Sequence, residues 1–417
     1  MLEVMKNFTS PGAEFAANYD IVCFSHLRWD FVYQRPQHLL TRFAKKHDVL
    51  FIEEPVLCDG EARFVVNEKA GGVRVAVPHL PHGTEPADAE RILKGMISDL
   101  LKEQGIEDFV AWYYTPMMLS WSEHLEPGAV LYDCMDELSA FKNAPQELHV
   151  REAELFGLAD LVFTGGRSLY EVKREQHDAV YCFPSSIDVN HFAQALNATG
   201  EPMDQAEIGK PRIGFFGVID ERTDIGLLGE IADLRPDWQF VMIGPVVKIE
   251  EGDLPKRSNI HYLGGKSYDE LPGYIAGWDV AMMPFAMNDS TRFISPTKTP
   301  EYLAAGRPVV STPIRDVVRP YGDAGLVRIA GTAEEFVNAI RESLDEDTTE
   351  RREKADEFLE TMSWDRTFEA MSELIDDAVA ANGERGMRNP KPVVRNAERG
   401  VRNAERGRTM AGGVAEG

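Results

Sequence analysis

Short apolar runs recur along the chain, each followed by an amphipathic stretch, which is the pattern of parallel strands covered by helices. Residues 19–24 open the series, and residues 49–52, 73–77, 109–113, 130–132, 161–164 and 180–183 continue it. Between the first two runs, Arg35-Pro36-Gln37 starts a helix, since proline is tolerated where no backbone N–H is needed. The alternation restarts later, with strands expected at 212–216, 240–243, 280–283 and 308–311 and helices at 225–234 and 297–305. Ser267 with Glu270, and Thr332 with Glu335, have the spacing of capping boxes and mark two further helix starts. A last helix is expected over 364–380.

The chain has 417 residues, more than one hydrophobic core usually organises. The two alternating halves therefore read as two α/β domains, 19–192 and 211–360, joined by a polar linker at 193–210. Residues 361–381 form a helix returning to the first domain. Residues 1–18 and the tail 382–417 are expected to be disordered. The tail repeats Arg-Asn-Ala-Glu-Arg-Gly at 395–400 and 402–407, and its basic residues recur every three or four positions. Weak contact with an anionic membrane surface is the alternative for this tail.

Composition narrows the functional classes. A formal net charge of −25 argues against general nucleic-acid binding. The four cysteines, Cys23, Cys58, Cys134 and Cys182, form no C-x-x-C pair, so neither a zinc site nor a disulfide framework is expected. No apolar run resembles a secretory signal or approaches the length of a membrane span, and a cytoplasmic protein is expected, with the inner membrane face as its alternative site.

The most informative segment is Ser295-Pro-Thr-Lys-Thr-Pro-Glu-Tyr-Leu-Ala-Ala-Gly-Arg-Pro-Val-Val310. It reads as a loop, a helix N-terminus, a glycine stop and a buried strand. Free N–H groups at such a helix start suit a diphosphate. Lys298 adds a point charge, Thr297 a hydroxyl, and Glu301 a carboxylate for ribose hydroxyls. An ordinary capped helix with surface Glu and Lys fits the same residues. Arg222 follows the first strand of the second half and Gly217, while Gly244 and Gly264 end later strands. In the first half, His26, Arg28, Asp30, Gln34 and Arg35 cluster in one strand–helix loop with Trp29, Phe31 and Tyr33. Loops at strand C-termini line the crevice of doubly wound sheets. The same cluster could instead be a partly buried hinge. Asp133 and Asp136 follow the 130–132 strand and could reach the crevice or cap the next helix.

The 295–310 segment resembles the nucleotide-sugar motif of retaining GT-B glycosyltransferases, with Glu301, Ala304, Ala305, Gly306, Pro308, Val309 and Val310 in matching places. The stretches 25–40 and 132–136 are similar to a branch serving bacterial cell-surface polysaccharides, including teichuronic-acid-type enzymes. The likeness runs over roughly 19–380. It implies two Rossmann-like domains facing a cleft, with a nucleotide-sugar donor on the second and a saccharide or lipid-linked acceptor on the first. It also implies no cofactor and no metal. The donor would meet Gly217, Arg222, Gly244, Gly264, Thr297, Lys298 and Glu301. Catalysis would rest on Asp136, Arg222 and Lys298, and the acceptor would meet His26, Arg28, Asp30, Gln34 and Arg35. The sequence departs from the family at Phe293, where a second glutamate usually stands. A sugar-nucleotide epimerase of the same fold and a non-catalytic sugar-nucleotide-binding module are the alternatives. No G-x-G-x-x-G follows either opening strand, which disfavours an NAD enzyme.

Overall fold

The computed structural model describes residues 18–388. Most of the N-terminal segment and of the basic tail expected to be disordered lies outside the described residues, and with it the repeated motif. The first sheet contains β1 (Asp20–Ser25), β2 (Val49–Glu53), β3 (Val56–Cys58), β4 (Arg63–Glu68), β5 (Val73–Pro81), β6 (Phe109–Tyr113), β7 (Ala129–Cys134), β8 (Leu161–Thr164) and β9 (Val180–Cys182). Its order is β3-β5-β2-β1-β6-β7-β8-β9, with β4 antiparallel on β5 and the other pairings parallel. The second sheet runs from β10 (Arg212–Phe216) through β11 (Gln239–Ile243), β12 (Ile260–Tyr262), β13 (Val280–Met283) and β14 (Val309–Ser311) to β15 (Val327–Ile329). Its order is β12-β11-β10-β13-β14-β15. That is the 3-2-1-4-5-6 order of a doubly wound sheet, whose direction reverses between β10 and β13.

The central strands are continuous apolar runs because helices cover both of their faces. Along β1, Val22 and Phe24 enter one core while Ile21 and Cys23 enter the other. The final helix, Trp364–Arg388, packs on the first domain: Phe368 meets Phe43 with ring centroids 4.7 Å apart, and Tyr19 donates to Asp376 at 2.8 Å.

The crossing between domains lies earlier than the polar stretch suggests. Phe183 N still donates to Thr164 O in the first domain, whereas Ile187 and Phe192 belong to the second core. The expected linker is instead seated on the second domain. Gln205 is fully buried there, donating to Tyr274 O and accepting from Trp278 Nε1, each at 2.9 Å. Polar composition here reflects hydrogen-bonded packing.

A buried ion pair fixes the first-domain side of that crossing. Arg35 is 1% exposed, and its Nε lies 3.0 Å from Asp133 Oδ2, while its Nη1 donates to Phe183 O at 2.7 Å. Removing one partner of a buried pair leaves the other charge uncompensated. Arg35→Met should therefore cost about 3–5 kcal/mol in denaturant unfolding, with much of it recovered in Arg35→Met/Asp133→Leu. A single variant as stable as wild type would contradict this role.

Candidate active site between the domains

At the C-terminal edge of the second sheet, two strand ends and a neighbouring lysine approach closely enough to need glycine at two positions. Gly244 has φ +145°, and a Cβ there would lie 1.8 Å from Gly217 O. Gly217 has φ +143°, and a Cβ there would lie 2.1 Å from Lys298 Cε. The missing side chain at Gly217 is what lets Lys298 lie across the strand end. Gly264, also in the left-handed region, accepts from Gly244 N at 2.9 Å and faces open space.

Lys298 opens the short helix Lys298–Ala304, with Thr297 at its cap position. Its Nζ makes no hydrogen bond or ion pair among the described residues, and burial lowers its pKa despite Glu301 nearby. Glu301 is 8% exposed, and its Oε2 has no hydrogen-bond partner among the described residues. Burial pushes this carboxyl up to about 7, opposed by the Lys298 charge. An orphaned carboxylate oxygen and an unpaired ammonium thus share one corner. A buried carboxylate oxygen without a partner is rare unless something else meets it.

Arg222 stands opposite. Its guanidinium forks onto the buried Asp220, with Nη2 to Oδ2 at 2.7 Å and Nε to both oxygens at 3.0 Å. The charges of Asp220, Asp136 and Glu221 hold its pKa up against burial. Lys248 was not singled out from sequence. It follows β11 with φ +62° and lies 3.5 Å from Glu221. Its place four residues beyond Gly244, on a loop leaving a strand C-terminus, is the signal that would have found it.

From the first domain comes Asp136, whose carboxyl is raised to about 6 by burial, against the pull of Arg222. Arg35 and Lys248 also act on it, so Asp136 faces the second-domain cations. His26 reaches the same region. Burial, with Lys248 adding to it, lowers its pKa to about 4, so the ring is neutral at pH 7, and its Nδ1 is unpartnered among the described residues.

The other four first-domain candidates are not gathered there. Arg28 turns to β2, pairing with Glu53 at 2.9 Å and donating to Glu54 O. Asp30 is an exposed partner of Lys69, 2.7 Å away in the turn before β5. Gln34 caps the Arg35–Phe43 helix, its backbone N donating to Gln37 Oε1 at 3.0 Å. Arg35 is spent on Asp133. Three of these four side chains have internal charge or backbone partners, and Gln34 is a helix-start residue. Of the loop aromatics, Trp29 is buried. Tyr33 instead joins Tyr268 and His191 around a cavity of about 360 Å³ at the domain junction. Phe293, at the departure from the family pattern, packs against the first-domain core with Arg292 over its ring at 5.1 Å. Among the described residues no group of three or more His, Cys, Asp or Glu is arranged to hold a metal ion.

Residues 210–346 match the family model described as Glycosyl transferases group 1. TuaH of Bacillus subtilis (strain 168), named for teichuronic acid biosynthesis as a glycosyltransferase, is 27% identical over 217 residues, 48% of this chain and 54% of that protein. The match thus spans about half the length of that relative. Among solved structures, trehalose-6-phosphate from E. coli bound with UDP-2-fluoro glucose aligns at TM-score 0.64 and 12% identity, covering 86% of this chain and 99% of that one. Sucrose-phosphate synthase from Thermosynechococcus elongatus aligns at TM-score 0.64 and 14% identity, covering 87% and 100%. Anabaena Alr3699/HepE in complex with UDP and glucose aligns at TM-score 0.60 and 13% identity, covering 86% and 99%. At these identities the structural likeness speaks for the fold. The two facing parallel-sheet domains have the GT-B architecture, and residues 210–346 of the second are similar to the group 1 glycosyl transferases.

Proposed function

We propose that the chain transfers a glycosyl group from a nucleotide-sugar donor to a saccharide or lipid-linked acceptor in cell-surface polysaccharide synthesis, with retention at the anomeric carbon. The observation that carries the reading is the unpartnered Glu301 oxygen beside Lys298, an ammonium without a carboxylate partner among the described residues and within electrostatic reach of Arg222. A nucleoside diphosphate sugar supplies what each lacks: ribose hydroxyls for the carboxylate and phosphate oxygens for the cations. The names of the relatives lend support, since TuaH is named for teichuronic acid biosynthesis and HepE was solved with UDP and glucose.

In the transfer, the bond from the anomeric carbon to the diphosphate oxygen breaks and a bond to the acceptor oxygen forms. The acceptor hydroxyl gives its proton to the departing diphosphate. Negative charge grows on that leaving group, so fixed cations aimed at it lower the barrier more than they tighten the ground state. Arg222 and Lys298 fill that role, with Thr297 and the three glycines shaping the donor site and no metal needed. Asp136 stands beside the reacting centre, and the acceptor enters along the first-domain wall at His26. The basic tail would rest on an anionic membrane surface, where lipid-linked acceptors lie.

Nucleotide sugars differing in base and sugar, screened by thermal shift, should yield one that raises Tm. Its labelled sugar should then appear on a separate acceptor. An altered sugar still joined to nucleotide would point to epimerisation and contradict transfer. Lys298→Met should weaken diphosphate binding about tenfold or more, as expected for a lost charge-assisted contact. Glu301 should bind ribose best when ionised, so donor affinity should rise with pH through about 7 in wild type, and that rise should be absent in Glu301→Gln. Identical pH profiles in isothermal titration would remove Glu301 from the site.

A further inference from the structure

The transfer chemistry leaves one aromatic ring in the cleft without a task. Phe141 follows the short 3-10 turn Leu138–Ala140, on the first-domain segment that begins at Asp136. Its half-buried ring lies 5.5 Å from the Arg222 guanidinium carbon and 4.8 Å from Lys248 Nζ, both across the cleft. Those distances fall within the range in which a cation is attracted to the negative face of an aromatic ring.

Both ends of this contact are braced. The base of the segment is Glu137, which pairs at 2.9 Å with Lys173, a lysine whose side chain is 2% exposed. Lys173 also holds Glu152 at 2.8 Å, and Glu152 accepts from Tyr132 Oη at 2.8 Å. Across the cleft, Asp220 grips Arg222 from its own domain and Glu221 lies beside Lys248. Lys248 takes up a left-handed backbone, φ +62°, rarely adopted by a residue with a side chain. The carboxylates that hold the two cations belong to the second domain. From the first domain, the Asp136 carboxylate lies within electrostatic reach of both, and Phe141 is the ring placed against both of them.

We propose that Phe141 is a positioning residue for the diphosphate site, holding Arg222 and Lys248 turned toward the cleft so that the cationic pair is assembled as the domains close. The inference rests on the transfer reading above for what the cations bind. The ring contact itself does not depend on it. A ring against which both like charges rest, beside the Asp136 carboxylate, also reduces the cost of bringing them together before any anion arrives.

A second contact across the cleft provides a reporter. The Asp316 carboxylate of the second domain accepts from Ser168 N of the first, at 3.0 and 3.3 Å, and Arg315 pairs with Glu171 alongside. Opening the cleft frees the Ser168 amide. Hydrogen exchange over 165–171 in the full chain therefore follows closure without needing a substrate.

Phe141→Leu keeps an apolar side chain and removes the ring, and should speed that exchange about fivefold or more. Phe141→Trp should exchange at the wild-type rate, because the indole face attracts cations at least as well. Should Phe141→Leu fail to fold, Lys248→Met should show the same acceleration and Lys248→Arg should not. Exchange unchanged in the leucine variant, or equally fast in the tryptophan variant, would overturn the proposal. UDP, GDP, ADP and dTDP, titrated into the same proteins, add the functional readout. Whichever of them wild type binds should bind Phe141→Leu several-fold more weakly and Phe141→Trp normally. Equal binding by both would overturn the positioning role. If wild type bound none of them, the transfer reading would fall, and the exchange data would still decide the clamp.

Discussion

A carboxylate taken out of water without a hydrogen-bond partner is among the more expensive things a folded chain can carry. This protein carries one such oxygen, Glu301 Oε2, with Lys298 close enough to oppose the rise in the carboxyl's pKa but not bonded to it. The rest of the cleft is arranged around that pair. Gly217 gives up its side chain so that Lys298 can lie across the end of β10, and Gly244 gives up its own so that two strand ends can touch. A chain selected for stability alone would join the carboxylate to the ammonium or replace both by apolar groups. Keeping them apart leaves polar capacity for a molecule from outside.

The first domain contributes a wall, and its charges are mostly consumed in making that wall rigid. Arg35 and Asp133 lock the Arg35–Phe43 helix to the end of β7 and to Phe183, where the chain leaves for the second domain. Lys173, Glu137 and Glu152 do the same beneath the Asp136 segment. These networks are nearly dry, so each is costly to break and holds its loop in one place. Asp136 is carried on this support, raised toward neutral pH by burial and facing Arg222.

Much of the architecture was legible in the sequence because central parallel strands are buried on both faces. The run at 280–283 has no other comfortable place than β13. The strand β4 escaped notice: it is a half-exposed antiparallel edge, where no continuous apolar run is required. The second-domain corner was legible for a different reason, since Thr297, Lys298 and Glu301 are neighbours in sequence and one helix turn gathers them. The first-domain loop was legible only in part. Arg28, Asp30 and Arg35 look like ligand-binding groups when read locally, and nothing nearby shows that their partners are Glu53, Lys69 and Asp133. Phe141 was hidden likewise, because its significance lies in contacts with Arg222 and Lys248 of the other domain, about 80 and 110 residues away.

The most direct measurement is a structure of the protein soaked with UDP or GDP. Phosphate oxygens should lie within hydrogen-bond distance of Lys298 Nζ and the Arg222 guanidinium, with a ribose hydroxyl on Glu301 Oε2. A nucleotide seated elsewhere, with Glu301 still alone, would contradict this placement.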